Sequence, residues 1–283
     1  CGIGTGGVER NSFGVAITKK FRNGRKNTLS IVKIGGNIVD HPEALDGFLS
    51  NFRQLEGRKL LVHGGGVMAS KLSAKLGLET KMIEGRRVTD EETLKLVTMV
   101  YAGWINKQIV ASLQKKGCNA IGLSGADANC IPSKRRNPEP IDYGFVGDPI
   151  TEKMNGKFIS MLIENEAVPV FCAITHDGNG SLLNTNADTV AYSLASALSK
   201  YYRTTLFYCF EKEGVLRDVN DEDSLISMIT FSEYLELKSQ GVIAGGMIPK
   251  IDNSFRAMEE GVSEVVILHA KNLLNGKGTK LIL

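Results

Sequence analysis

A chain of 283 residues, 42% hydrophobic and 23% charged, can bury a sizeable core as one large α/β domain or as two lobes sharing a sheet. Its net charge of +3 is concentrated at one end, where Arg10, Lys19, Lys20, Arg22, Arg25 and Lys26 face Glu9 alone; the remainder is slightly acidic, and no nucleic-acid partner is expected. No apolar run approaches the roughly 20 residues that cross a bilayer, so no membrane partner is expected either.

Residues 1–28 read as a basic arm outside the core. Gly2, Gly4 and Gly7 spell G-x-G-x-x-G there, but no strand precedes them, and the match is chance. The folded body begins with a strand at 29–34 that ends in Gly35-Gly36. Pro42 opens a helix whose apolar residues Leu45, Phe48, Leu49, Phe52 and Leu55 recur at helical spacing. Leu60, Leu61 and Val62 form a buried parallel strand, and Gly64, Gly65 and Gly66 turn it into a helix reaching about Leu76. Thr89 and Glu92 form a capping box that starts a long helix over 90–116, with Tyr101 and Trp104 as packing residues.

Gly117 closes that helix and 118–123 is a strand. The stretch 124–150 is rich in Gly, Pro and charge, with Lys134, Arg135 and Arg136 as a solvated triplet at a hairpin tip. Helices are expected near 157–166, from Asn184-Thr-Asn-Ala-Asp188 to about Lys200, over 231–240, and from Gly245-Gly246 to Gly261. Strands are expected at 168–173, 205–210, 265–269 and 279–283. This alternation predicts an α/β fold, a three-layer αβα sandwich around a mainly parallel central sheet.

The chemistry centres on the glycine turns. Three consecutive glycines before a helix expose backbone N–H groups at a positive helix terminus, which suits an anion. Gly64, Gly66 and Ala69 also satisfy a dinucleotide-binding pattern, but that pattern needs an acidic residue closing the next strand. The segment 77–90 shows no strand pattern, which argues against it. Further glycine pairs stand at 35–36 and 245–246, beside Lys33 and Lys250. Each lysine alone is a surface charge; next to glycine turns at the carboxyl ends of strands, the two make a phosphate clamp. There is no Walker A motif and no H-R-D or D-F-G set, so phosphoryl chemistry must use another scaffold. The five cysteines are scattered with no C-x-x-C, which is the usage of a reducing, cytoplasmic compartment. The four histidines lack metal-ligand spacing, and no metal-ligating residue is assigned.

Six motifs in order then give a specific resemblance: I-V-K-I-G-G (31–36), L-V-H-G-G-G (61–66), G-R-R-V-T (85–89), N-T-N-A-D (184–188), G-G-M-I-P-K (245–250) and G-T-K-L (278–281). The chain resembles the amino-acid kinases, and among them the N-acetylglutamate kinases. The resemblance implies transfer of the γ-phosphate of ATP, with Mg2+ held mainly by phosphates and water, to the side-chain carboxylate of an acylated glutamate. It implies that Lys33 and Lys250 neutralise the transferred group and that Asp188 fixes both ammonium groups. Gly64 and Gly65, Arg87 and Asn184 would hold the amino-acid substrate. Gly36, Glu211, Gly214, Gly245, Gly246 and Met247 would face the nucleotide. Residues 29–180 would form mainly the acylglutamate lobe and 181–283 mainly the ATP lobe.

One segment departs from the family. Phe210-Glu211-Lys212-Glu213-Gly214 stands where relatives carry Thr/Ser-Asp-Val-x-Gly, so Phe210 replaces a small hydroxyl residue. Two alternatives therefore stay open: a catalytically weak nucleotide or amino-acid sensor on the same fold, and another amino-acid kinase such as a carbamate kinase. Asn186 can also be only a helix N-cap and Asp188 only a first-turn carboxylate. A homodimer is expected. Arginine-inhibited relatives use an N-terminal helix and an acidic residue near the C-terminus. The arm is glycine-rich and 269–278 has lysines but no acid, so arginine is not expected to inhibit.

Overall fold

The computed structural model describes residues 28–83 and 86–283, so the arm expected at 1–28 lies, but for its last residue, outside the described residues. The central sheet is built from β1 (Thr28–Ile34), β2 (Arg58–His63), β3 (Ala120–Leu123), β4 (Val168–Cys172), β5 (Arg203–Phe210), β6 (Met228–Thr230), β7 (Glu264–His269) and β8 (Gly278–Ile282). Its order is β6-β8-β7-β5-β1-β2-β4-β3, and every pairing is parallel except β7 with β8.

β1 lies in the middle and is buried on both faces, which is why its pattern reads as a continuous apolar run. Leu29 and Ile31 point into one core, Val32 and Ile34 into the other. The second core is covered by α1 (Pro42–Gln54), α2 (Gly66–Lys75) and the long α3 (residues 91–115), through Phe48, Phe52, Ala69 and Ile109. The first is covered by α4 (Gly156–Glu164), α5 (Ala187–Leu198), α6 (Phe231–Ser239) and α7 (Met247–Glu259), through Ile159, Leu194, Leu237 and Phe255. Three layers with two separate cores result, as the alternation of elements predicts. Among the described residues no helix is long and apolar enough to cross a membrane.

Several local expectations need correction. α3 comprises Glu91–Thr98, a π-helical stretch Met99–Ile105 and Asn106–Lys115, not one uniform α-helix. Its N-cap is Asp90, whose carboxylate accepts from Thr93 N; Thr89 is buried, donating to Arg87 O and accepting from Asn184. A charged acceptor at the helix start leaves the Thr89 hydroxyl free for this tertiary role. The capping box of this chain instead joins Thr230 and Glu233 at α6. Trp104 is 59% exposed and packs no core.

The segment 77–90 does contain strand: Met82–Ile83 pairs antiparallel with Arg86–Arg87. The basic triplet lies at no tip, because Ser133–Arg135 is a strand paired with Gly147–Pro149. A third hairpin joins Ile174–His176 to Leu182–Asn184. Strands of two or three residues are too short to show alternation, which hides them from sequence.

Candidate active site

Lys33 is the penultimate residue of β1 and pairs in register with Tyr208 on β5, so both side chains project toward α5. α5 lies over β1, β2 and β5 on that face. It starts at Asn186, whose side-chain oxygen accepts from Asp188 N at 2.8 Å and Thr189 N at 3.2 Å. Asn186 is thus an N-cap, and the cap fixes Asp188 in the first turn.

Lys250 enters from the first turn of α7. Lys33 Nζ lies 2.6 Å from Asp188 Oδ1, and Lys250 Nζ 2.6 Å from Asp188 Oδ2. The three side chains are only 13, 14 and 20% exposed for Lys33, Lys250 and Asp188. Burial alone would push the Asp188 carboxyl up; the two ammonium groups outweigh it and hold the carboxyl well below the usual carboxylate range. Burial pulls the Lys250 pKa down, against the opposing pull of Asp188. Two cations share one anion here, which leaves one positive charge uncompensated in a largely buried place. An anionic oxygen is its natural complement.

Beside this trio is a cavity of about 210 Å³. Gly64, Gly65 and Gly66 form one wall and Asn184 to Ala187 another, so the N-termini of α2 and α5 both face it. Arg87 is 8% exposed; its Nη2 donates to Gly66 O at 3.0 Å and Ser70 Oγ at 2.7 Å, and its Nη1 to Thr80 Oγ1 at 3.2 Å. Asn184 Nδ2 donates to Thr89 Oγ1 at 3.0 Å. The cavity draws on both of the expected lobes, since 184–187 and Thr189 belong to the segment 181–283.

A buried chain of hydrogen bonds shapes the glycine turn. Asn106 Nδ2 donates to Val170 O at 2.9 Å and to His63 Nε2 at 3.1 Å, while Lys107 Nζ donates to Asn106 Oδ1 at 3.1 Å. With Nε2 accepting, Nδ1 carries the hydrogen and donates to Gly64 O at 2.8 Å. Burial depresses the His63 pKa to about 4, so the imidazole is neutral at ordinary pH. Gly65 is glycine for a packing reason, because a Cβ there would stand 2.3 Å from Ile105 Cδ1 and 2.8 Å from Tyr101 Cδ1.

The residues expected on the nucleotide side are more dispersed. Gly36 opens a short helix, Gly36–Val39, at the end of β1. Glu211 is exposed and accepts from Asn37 Nδ2 at 2.9 Å. Gly245, Gly246 and Met247 form the entry to α7, with Gly245 at φ +56° and Gly246 as N-cap. Gly214 is placed differently from an open cleft: it is buried, and a Cβ would stand 2.7 Å from both Leu225 Cδ1 and Thr279 Oγ1. Its glycine is required by packing on β8.

The description Amino acid kinase family matches residues 28–269. An acetylglutamate kinase of Phocaeicola vulgatus is 56% identical over 254 residues, 90% of this chain and 98% of that protein. The chain belongs to the amino acid kinase family. Among solved structures, the protein smu.665 of Streptococcus mutans UA159 superposes with a TM-score of 0.75 at 27% identity, over 89% of this chain and 98% of that one. A carbamate kinase of Giardia lamblia bound to AMP-PNP has a TM-score of 0.61 at 19% identity, over 91% and 98% of the two chains, which is a likeness of fold alone.

Within this family framework, sequence reasoning missed Arg86, Arg136, Met82 and the lining role of Tyr101, all of which face the cavity. Arg136 belongs to the triplet read as solvated; it is half-buried, and its guanidinium is paired with Asp148. The complementary sign of Asp148, in the strand opposite, was the available signal. His63 and Asn106 carry no linear signal, because 43 residues separate them.

Proposed function

We propose that the chain catalyses ATP-dependent phosphorylation of the side-chain carboxylate of an N-acylated L-glutamate, N-acetylglutamate first, as in arginine biosynthesis. The observation that carries this reading is the Lys33–Asp188–Lys250 trio with its net positive charge, directly beside the arginine- and glycine-lined cavity. The 56% identity to an acetylglutamate kinase supports the substrate class.

The nucleophile in this reaction is a carboxylate with a pKa near 4.3, already ionised at neutral pH, so no general base is needed. Catalysis reduces to positioning and charge stabilisation. Lys33 and Lys250 approach the transferred phosphoryl group from two strand and helix termini, and Asp188 holds both ammonium groups at fixed spacing. Arg87 grips the α-carboxylate, Asn184 the amide portion, and the N–H groups of Gly64 and Gly65 the remaining oxygens. Gly36, Glu211, Gly245, Gly246 and Met247 face the nucleotide, with Gly214 supporting them from within. The acyl-substrate cavity draws mainly on residues 29–180 and the nucleotide face on 181–283, with β1 at the seam.

Among the described residues no three His, Cys, Asp or Glu side chains converge to hold a metal, and both Asp188 oxygens are engaged by lysines. These residues fit Mg2+ carried by the ATP phosphates and water, where it would neutralise phosphate charge. A homodimer is the proposed assembly.

Coupled measurement of ADP release against a panel of carboxylates, including N-acetyl- and N-succinylglutamate, tests the proposal, with hydroxylamine trapping of the acyl phosphate. Turnover on carbamate but not on any acylglutamate would reassign the substrate. Nucleotide binding without turnover on any carboxylate would leave a sensor, the alternative raised by Phe210 and Glu211.

A further inference from the structure

Tyr208 lies on the same face of β5 as Leu206, 1% exposed and directly beneath the charged trio. Its ring centroid lies 4.6 Å from Lys250 Nζ, within range of a cation–π contact. Its hydroxyl donates to the backbone oxygen of Asp188 at 3.3 Å. It also neighbours Lys33 across the β1–β5 register. One side chain therefore touches the helix turn that carries the shared carboxylate and both elements that carry the lysines.

We propose that Tyr208 is a positioning residue for phosphoryl transfer, its ring face seating the Lys250 ammonium and its hydroxyl pinning the first turn of α5. The inference rests on the reading of Lys250 as the group that meets the transferred phosphate. Lys250 needs such a seat because Asp188 is shared with Lys33 and satisfies only one of its three N–H donors. The groups facing it are Asp188 from α5, Lys33 from β1, Tyr208 from β5 and Glu211 just beyond β5. Burial and Lys33 favour loss of its proton, and Asp188 and Glu211 oppose that loss. The negative face of the ring acts in the same direction as the two carboxylates.

The test compares Tyr208→Phe with Tyr208→Leu in the full chain. Tyr208→Phe keeps the ring and is expected to retain kcat within about threefold. Tyr208→Leu is expected to lower kcat about tenfold or more with KM for the acylglutamate unchanged, and to move the alkaline limb of the kcat profile down by about 1 pH unit. Equal loss in both variants, or loss in the leucine variant without a shift of that limb, would overturn the ring's assigned role.

A series of ring-fluorinated phenylalanines at position 208 keeps the shape while weakening the ring quadrupole, so it serves even where the leucine variant does not fold. Stepwise fluorination is expected to lower the Lys250 titration midpoint, read by NMR of 13C-labelled lysine in the absence of substrate. A constant midpoint across the series refutes the inference. Because that readout involves no turnover, it separates failure of this inference from failure of the proposed reaction.

Discussion

The two halves of the site are built in opposite ways. The proposed acylglutamate side is a cavity of about 210 Å³ whose walls come from a glycine turn, a short hairpin, α3 and the start of α5. Arg87, the cation proposed to meet the substrate, is held by three acceptors. On the proposed nucleotide side, Glu211, Gly245 and Gly246 are exposed. Between them lies the trio, where the two lysines are held by a single carboxylate. The difference teaches where preorganisation is concentrated: at the groups proposed to meet the amino acid and the transferred phosphate, not along the proposed nucleotide face.

If that is right, the largest effects come from the trio. Lys33→Met and Lys250→Met are each expected to lower kcat by about 10²–10³ while the thermal midpoint stays close to wild type. Steady-state kinetics at saturating substrates, with calorimetry alongside, checks this. Near-normal kcat in either variant would remove that lysine from the chemistry. Asp188→Asn is expected to cost activity and stability together, because two buried ammonium groups then lack their shared counter-charge.

The clamp on the acyl side gives the next effect. Arg87→Lys is expected to raise KM for the acylglutamate by about tenfold or more and leave KM for ATP nearly unchanged, since a point charge cannot make two parallel hydrogen bonds. A matching rise in both constants would place Arg87 outside the amino-acid pocket.

These two predictions use residues whose roles the family resemblance implied, and their motifs are legible for a geometric reason. Lys33, Gly64, Gly65, Asn184 and Asp188 lie at strand ends and helix starts, where short contiguous motifs fix both identity and position. The parallel sheet was legible because its strands are continuous apolar runs. What was not legible is what long-range packing decides. Arg136 looks like a loop charge until Ser133–Arg135 pairs with Gly147–Pro149 and brings Asp148 opposite it. Tyr101 packs in the core as expected, and the glycine turn that lands beside it makes it a wall of the cavity as well. Gly214 looks like a nucleotide contact, yet β8, more than 60 residues later, requires it to be small.

A smaller effect should come from the scaffold under the glycine turn. The folded-state pKa of His63 is about 4, below its unfolded value near 6.5. As pH falls through that window the unfolded chain takes a proton that the folded chain refuses. The stability is therefore fully present above about pH 6.5 and lost toward pH 4, at up to about 1.4 kcal/mol per pH unit. The depressed Asp188 carboxyl costs stability only below its unfolded value of 3.8, so the two windows separate. Urea unfolding from pH 7 to 4.5 should show the loss in wild type and a flatter profile in His63→Asn. Parallel profiles would mean that His63 is protonated in the folded protein.

The last prediction is of no effect. The stretch 269–278 supplies no carboxylate of its own, but the fold brings one there: Glu213 accepts from Asn272 Nδ2 at 2.9 Å and lies 3.3 Å from Lys277 Nζ. An arginine guanidinium seeking that carboxylate would have to displace both partners, and Lys277 and Lys271 would repel it. Residues 1–26, which lie outside the described residues, hold six glycines. A chain trimmed to begin at Asn27 is expected to keep its kcat and to share the full chain's oligomeric state, proposed as a dimer, by light scattering. Millimolar arginine should leave both forms uninhibited. Inhibition of the full chain alone would show that the arm builds an arginine site. Inhibition of both forms would show instead that Glu213 gives up Lys277 to the effector.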